Sequence, residues 1–220
     1  ATKFVPDGQY LLNKATVKVE DTHEVLSQDL RNYLQQKQNT EILGFWKLQL
    51  GIYNTSSQDT TKWTSRNARK IGEPPVIYSE ELTERSMQQL EHAMDNKGYF
   101  QAEIDTTKVV KEKKLDLTYH VTANDPYHIR NYTISFPNTD LQQIAASERF
   151  RLLREGMRFD VDLMNQERQR IASAMRRNGC YYFDKELIRF VADTTWGKRQ
   201  VDLTICLQDY FSQLPEEEKK

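Results

Sequence analysis

Apolar residues recur along this chain at two spacings, and the spacings change in the same order in each half. Residues 77–98 lie on residues 158–179 at a constant offset of 81 without a gap. In that register Tyr78 meets Phe159, Ser79 meets Asp160, Leu82 meets Leu163, Leu90 meets Ile171, Ala93 meets Ala174, Met94 meets Met175 and Gly98 meets Gly179. The matching positions fall at helical spacing. Ser79 and Asp160 are good N-caps, and Gly98 and Gly179 stand where a helix C-terminus favours a residue tolerant of positive φ. Each half thus predicts one capped helix of about five turns.

After each helix the period changes to two. Phe100, Ala102 and Ile104 alternate with polar residues, as do Ile188, Phe190 and Ala192, which predicts half-buried strands. A polar turn follows, at Lys111–Lys114 and at Trp196–Arg199. Second strands then run through Leu115–Tyr119 and Val201–Ile205, sharing an Asp-Leu-Thr core. Each helix therefore leads into a hairpin. Upstream, Ala15, Val17 and Val19 alternate as a strand, and Leu26, Leu30, Tyr33 and Leu34 form a helical stripe after Ser27. In the second half Tyr132, Ile134 and Phe136 alternate, and Leu141, Ile144 and Ala145 begin a helix. The unit reads β-α-α-β-β, twice, in an α+β chain. A boundary is expected at Asn124-Asp125-Pro126, a turn-prone tripeptide, giving domains over 9–124 and 125–210 and a tail over 211–220. The first domain carries an insertion over about 41–76. Its stretch from Leu43 to Tyr53 is rich in aromatics, and Thr55 to Lys70 is polar and expected to be a mobile loop.

Composition narrows the chemistry. Lys plus Arg (31) nearly balance Asp plus Glu (32), a net charge of −1, so nothing general attracts nucleic acid or an anionic membrane. No stretch nears the roughly 18 apolar residues of a membrane helix, and the segment is expected to be soluble by itself. The chain starts at Ala1 without Met and ends in Glu-Glu-Glu-Lys-Lys, which reads as a segment cut from something longer. Cys180 and Cys206 lack CxxC spacing; one disulfide or two free thiols both fit. There is no GxGxxG, P-loop, GxSxG or HExxH, and no GxxG of a KH-type RNA-binding module. His23, His92, His120 and His128 are scattered, so no metal and no cofactor is expected. Glu80 with Glu81, and Asp160 with Asp162, sit where helix dipoles and caps favour acid. The run Glu167-Arg168-Gln169-Arg170 and the pair Arg176-Arg177 read as a solvated helix face. No nucleophile, base and orienter can be assembled, and an enzyme is not expected.

The helix end Asn96-Lys97-Gly98-Tyr99-Phe100-Gln101-Ala102 carries a G-Y-x-x-A pattern, and Gly156-Met157-Arg158-Phe159-Asp160 leads into the second helix. In these features the β-α-α-β-β unit resembles the POTRA domain of BamA/TamA-type outer-membrane assembly proteins, over about residues 9–210. The second unit departs from the pattern, with Cys180 for the Tyr and Phe183 for the Ala. Thr2–Leu12 and Gly72–Tyr78 further resemble the Bacteroidetes lipoprotein variant, TamL. The resemblance implies two tandem POTRA domains, each a three-stranded mixed sheet covered by two helices. It also implies a periplasmic location at the outer membrane, a lipidated Cys upstream, further POTRA units and a C-terminal membrane β-barrel.

It implies, too, that the last strand of each unit is central, leaving the first hairpin strand at an edge over Tyr99–Lys108 and Glu186–Asp193. Such an edge accepts an extended segment by β-augmentation. The expected partners are outer-membrane protein clients or assembly-machinery subunits, and the parent's own barrel. Candidate partner-binding residues are Tyr99, Phe100, Gln101, Ala102, Glu103, Ile104, Glu186, Ile188 and Phe190, with Phe45 and Trp46 of the aromatic insertion. Outward charges at Glu103, Asp105 and Lys108 are expected to discourage indiscriminate pairing. The aromatic stretch reads first as a packed extension of the core, with an exposed partner-binding patch as the alternative. Two rivals stand beside docking: a rigid spacer between barrel and partner, and an RNA-binding α/β module, which the neutral charge disfavours.

Overall fold

The computed structural model describes residues 2–40, 47–55, 72–147 and 151–208. The chain divides into two compact units, residues 1–93 with 102–124, and residues 94–101 with 125–220. In the first, β1 (Leu11–Val19), α1 (Ser27–Leu30) and α2 (Leu48–Thr55) precede the long helix α3 (Glu80–Asn96) and the hairpin β2 (Glu103–Lys111) and β3 (Lys114–Thr122). The second contains β4 (His128–Ser135), α4 (Thr139–Ala145), α5 (Val161–Arg177), β5 (Ile188–Asp193) and β6 (Gln200–Leu207). The fold is α+β, and its sheets repeat one topology: β1-β3-β2 and β4-β6-β5. In both, the last strand is central, parallel to the first and antiparallel to its hairpin partner.

The alternation in the sequence becomes one buried face per sheet. Leu115, Leu117, Tyr119 and Val121 of β3, and Val201, Leu203 and Ile205 of β6, are all buried. Each such apolar side chain taken out of water stabilises the unit by roughly 1.5–3 kcal/mol. The two long helices bury matching positions, Thr83, Ser86, Leu90, Ala93 and Met94 on α3 against Met164, Glu167, Ile171, Ala174 and Met175 on α5. The offset of 81 in the sequence is thus an offset in packing.

The caps follow the same logic. The Asp160 carboxylate accepts from the Leu163 amide at 3.0 Å, and the Ser79 hydroxyl from Leu82 at 3.4 Å. Gly98 and Gly179 take φ of +87° and +97°. The next amides, of Tyr99 and Cys180, each donate to the carbonyl of the residue five back, Met94 and Met175, at 3.0 Å. Glu80 and Glu81 lie in the first turn of α3, where the dipole favours them.

Four sequence expectations are corrected. First, the strand expected from Tyr99 begins at Glu103, and β5 begins at Ile188 with Glu186 in a 3-10 turn. Before Glu103 the chain is still turning off the helix, with Tyr99 1% exposed and its amide bonded to Met94. Second, the first helical stripe winds only one α turn, followed by a 3-10 turn at Arg31–Tyr33. Leu26 and Tyr33 stay exposed. Here polar side chains hold the chain extended, because the Ser27 hydroxyl accepts from Val19 and the Ser86 hydroxyl accepts from Gln35.

Third, Lys108 does not point outward. It pairs with Leu117 on the helix-covered side and donates to the Glu80 carboxylate at 2.5 and 2.6 Å. That ammonium, with the Tyr78 hydroxyl, holds the Glu80 carboxyl below its ordinary range and is itself raised. Fourth, the run at Glu167 is not a solvated face. Glu167 is fully buried, and its carboxylate takes two bonds of 2.8 Å from Arg170, one from the Tyr132 hydroxyl and one from the Leu152 amide. Position 167 faces inward because it lies one turn from Met164 and from Ile171. Ser86, its counterpart at offset 81, likewise receives a backbone amide, that of Gln35.

The described part of the insertion packs. Leu50 is buried with Val5, Leu11 and Ile77, and Phe4 meets Tyr53 edge-on at 5.3 Å. Its neck is clipped by buried amides: Asn39 donates to the Pro74 carbonyl at 2.7 Å and accepts from Val76 at 3.1 Å. Gln36 donates to the Ile77 carbonyl and accepts from Ser79. Phe45, Trp46 and the polar loop after Thr55 lie outside the described residues. Both cysteines are free; Cys180 packs on the core beneath the sheet, whereas Cys206 pairs with Arg189 and Ser135 on β6.

One device recurs on the uncovered faces. Each first strand carries an irregularity, at Leu12/Lys14 and at Ile129/Asn131. The displaced residue reaches the aspartate of the shared Asp-Leu-Thr: Asn13 donates to Asp116 at 2.6 Å, and Arg130 to Asp202 at 2.7 Å. The guanidinium of Arg130 also stacks 3.7 Å from the Trp196 ring centre and holds the Asp202 carboxyl below its ordinary range. A carboxylate with a depressed folded pKa adds stability that is present above its unfolded value of about 4 and is lost as pH falls through the folded pKa. Asp202→Asn is therefore expected to remove part of the acid-induced loss of stability below about pH 4. Urea midpoints measured from pH 7 to pH 2 check this; unchanged steepness in the variant would contradict it.

Candidate functional site

Each sheet has two edges, and they differ. The outer edge of β1 is closed by the Leu12 amide donating to Val76, Ala15 to the Gln38 side chain and Val19 to Ser27. The edge of β4 is engaged by Ile129 donating to Met157 and Gly156 donating to Ile129. No strand among the described residues pairs with the outer side of β2 or β5. On β2 the Thr106 amide turns to the neighbouring Asp105 carboxylate at 2.7 Å. Val109 and Val110 are each 46% exposed and Val191 is 52% exposed, which leaves apolar surface along both edges for a further strand.

A groove runs beside each of these edges. In the first unit it holds about 520 Å³ between Glu84, Met87, Gln88 and Glu91 of α3 and Ala102 with the first residues of β2, Glu103 and Ile104. In the second it holds about 270 Å³ between Val161, Met164, Asn165 and Arg168 of α5 and Glu186, Ile188, Arg189 and Phe190. Apolar side chains form part of each floor and the strand edge forms one wall. Backbone groups and apolar pockets together can take an extended chain, with pairing along the strand and alternate side chains seated in the groove.

The candidate residues divide accordingly. Ala102, Glu103 and Ile104 line the first groove, and Glu186, Ile188 and Phe190 the second. Tyr99, Phe100 and Gln101 fall in the second compact unit. There Phe100 packs on Tyr127 and Phe159 at 5.0 and 5.2 Å, and Arg158 donates to the Tyr99 hydroxyl. Sequence reasoning missed Met87, Glu84 and Glu91 of the helix wall. Their spacing of 84, 87, 88 and 91 marks one helix face beside the buried stripe, and that signal was legible. Among the described residues no group of His, Cys, Asp or Glu could hold a metal ion, and no helix is long and apolar enough to cross a membrane.

A twice-repeated β-α-α-β-β unit with a central last strand and one open hairpin edge defines a class, and comparison with known proteins names it. The family model described as POTRA, surface antigen variable number repeat, matches residues 15–124, half of the chain, and the chain belongs to that family. Similar solved structures include BamA from Haemophilus ducreyi lacking POTRA domains 1–3, at 14% identity and TM-score 0.41, covering 90% of this chain and 29% of that one. Haemophilus influenzae BamA POTRA3–5 is 11% identical with TM-score 0.34, covering 94% of this chain and 100% of that one. POTRA1–2 of Omp85 from Anabaena is 11% identical with TM-score 0.38, covering 90% and 94%. This chain thus spans under a third of the Haemophilus ducreyi protein. None of the curated proteins matches it.

Proposed function

We propose that this chain is a non-enzymatic docking module at the periplasmic face of the outer membrane, and that it takes extended segments of client or partner proteins by β-augmentation on β2 and β5. The carrying observation is the asymmetry of the edges. β1 has outer amides engaged along its length and β4 at Ile129 near its start, whereas β2 and β5 lie open beside a groove in both units. Main-chain pairing gives affinity with little demand on sequence, which suits clients of many kinds. Membership of the POTRA family supports the periplasmic compartment. The N-terminal segment Thr2–Leu12 supports a parent of the Bacteroidetes TamL type, with outer-membrane clients, assembly subunits and its own barrel as partners.

Titrating the labelled chain with a short, extended, alternating peptide is expected to shift amide signals along 103–111 and 188–193. Val110→Pro removes an outward N–H while sparing the ladder to β3, as edge prolines do. It should weaken binding at the first unit by about tenfold, the value of roughly one lost hydrogen bond, with the thermal melt retained. Shifts absent from both edges would sink the reading and leave the spacer role.

A further inference from the structure

The two grooves occupy matching places but differ in charge. The first is walled by Glu84, Glu91 and Glu103 around Met87, Ala102 and Ile104. The cations nearest in sequence to that wall are already held, Arg85 by Glu81 at 2.7 Å and Lys108 by Glu80. Among the described residues Glu84, Glu91 and Glu103 have no ion pair. At offset 81 the two helix acids disappear: Glu84 becomes Asn165 and Glu91 becomes Ala172, while Met87 becomes Arg168. The second groove adds Arg189, while Arg168 is bound to Glu186 at 2.9 Å. The fold therefore does not require the acidic wall, since the same groove stands without it in the second unit.

We infer that the first groove selects extended polypeptide segments carrying lysine or arginine at alternate positions, and that the second does not. The inference rests on the docking reading and adds to it the charge of the occupant. A strand added to β2 would set every second side chain on the helix side, where Ile104, Thr106, Lys108 and Val110 already point. A long basic side chain there can lay its methylenes on Met87 and Ile104 and bring its charge to Glu84 and Glu91. Acidic side chains would meet like charge, so the same wall repels as well as attracts.

The test uses the labelled whole chain and two peptides of about ten residues, valine alternating with lysine and valine alternating with glutamate. At low salt the lysine peptide is expected to bind at residues 103–111 about tenfold more tightly than the glutamate peptide. The ratio should fall towards one near 0.5 M salt, where the Debye length is only about 4 Å. The triple variant E84Q/E91Q/E103Q should abolish the preference without lowering the thermal midpoint, and residues 188–193 should not favour lysine. Equal binding of both peptides at 103–111 overturns the charge selection and leaves edge docking standing. Shifts from neither peptide overturn docking, and the selection with it.

Discussion

Replacing Glu167 by alanine is expected to cost the second unit about 3–5 kcal/mol. The carboxylate is fully buried and is the acceptor for Arg170, for the Tyr132 hydroxyl and for the Leu152 amide. Removing it leaves a guanidinium only 11% exposed without its counter-charge, plus a hydroxyl and an amide with no acceptor. Part of that loss is the penalty on the groups left behind. Glu167→Met combined with Arg170→Met should therefore be far milder than Glu167→Ala, because both charges leave together. Urea unfolding followed through amide signals of the second unit measures both variants. A loss under about 1 kcal/mol for Glu167→Ala would show that water reaches this cluster and that the network contributes little.

Gly98→Ala should be the second severe change, and Gly179→Ala its control. Both glycines have left-handed backbone, which costs a residue with a Cβ about 1–2 kcal/mol. At Gly179 a Cβ would meet nothing within 4 Å, whereas at Gly98 it would lie 2.5 Å from the Phe159 carbonyl oxygen. That oxygen belongs to backbone held in place, since the Phe159 amide donates to Tyr127 and the Tyr127 amide to Gly98. Relief of such overpacking adds about 1–3 kcal/mol. Gly98→Ala is thus expected to cost about 2–5 kcal/mol and Gly179→Ala about 1–2. Equal losses in paired urea melts would mean that the segment around Phe159 yields freely.

These two residues mark the reach of sequence reasoning. Gly98 was legible because a helix end, a glycine and a strand followed one another twice. What the local pattern lacked was its close neighbour, Phe159, 61 positions on. Glu167 was misread because a charged residue among arginines looks solvated, and its partners come from Tyr132 and Leu152 rather than from its own turn alone. The short first helix was misread for a related reason: Ser27, Gln36 and Asn39 bond to distant backbone instead of to their own. For the candidate site, the alternation of β2 and β5 was written in the chain. The groove needed α3 and α5 turned to a particular angle, which only packing decides. The closure of β1 and of the start of β4 depended on side chains and segments remote in sequence.

The placing of the last strand in the middle of each sheet bears on how the chain comes to be folded. β3 pairs with β1 across roughly a hundred intervening positions, Asn13 bonding to Asp116, whereas Arg130 bonds to Asp202 across 72. Until that last strand arrives, neither the first strand nor the first arm of the hairpin has a partner, so a nascent chain holds no sheet in that unit. Closing the longer span is entropically costlier and slower. The second unit should gain its native ladder ahead of the first.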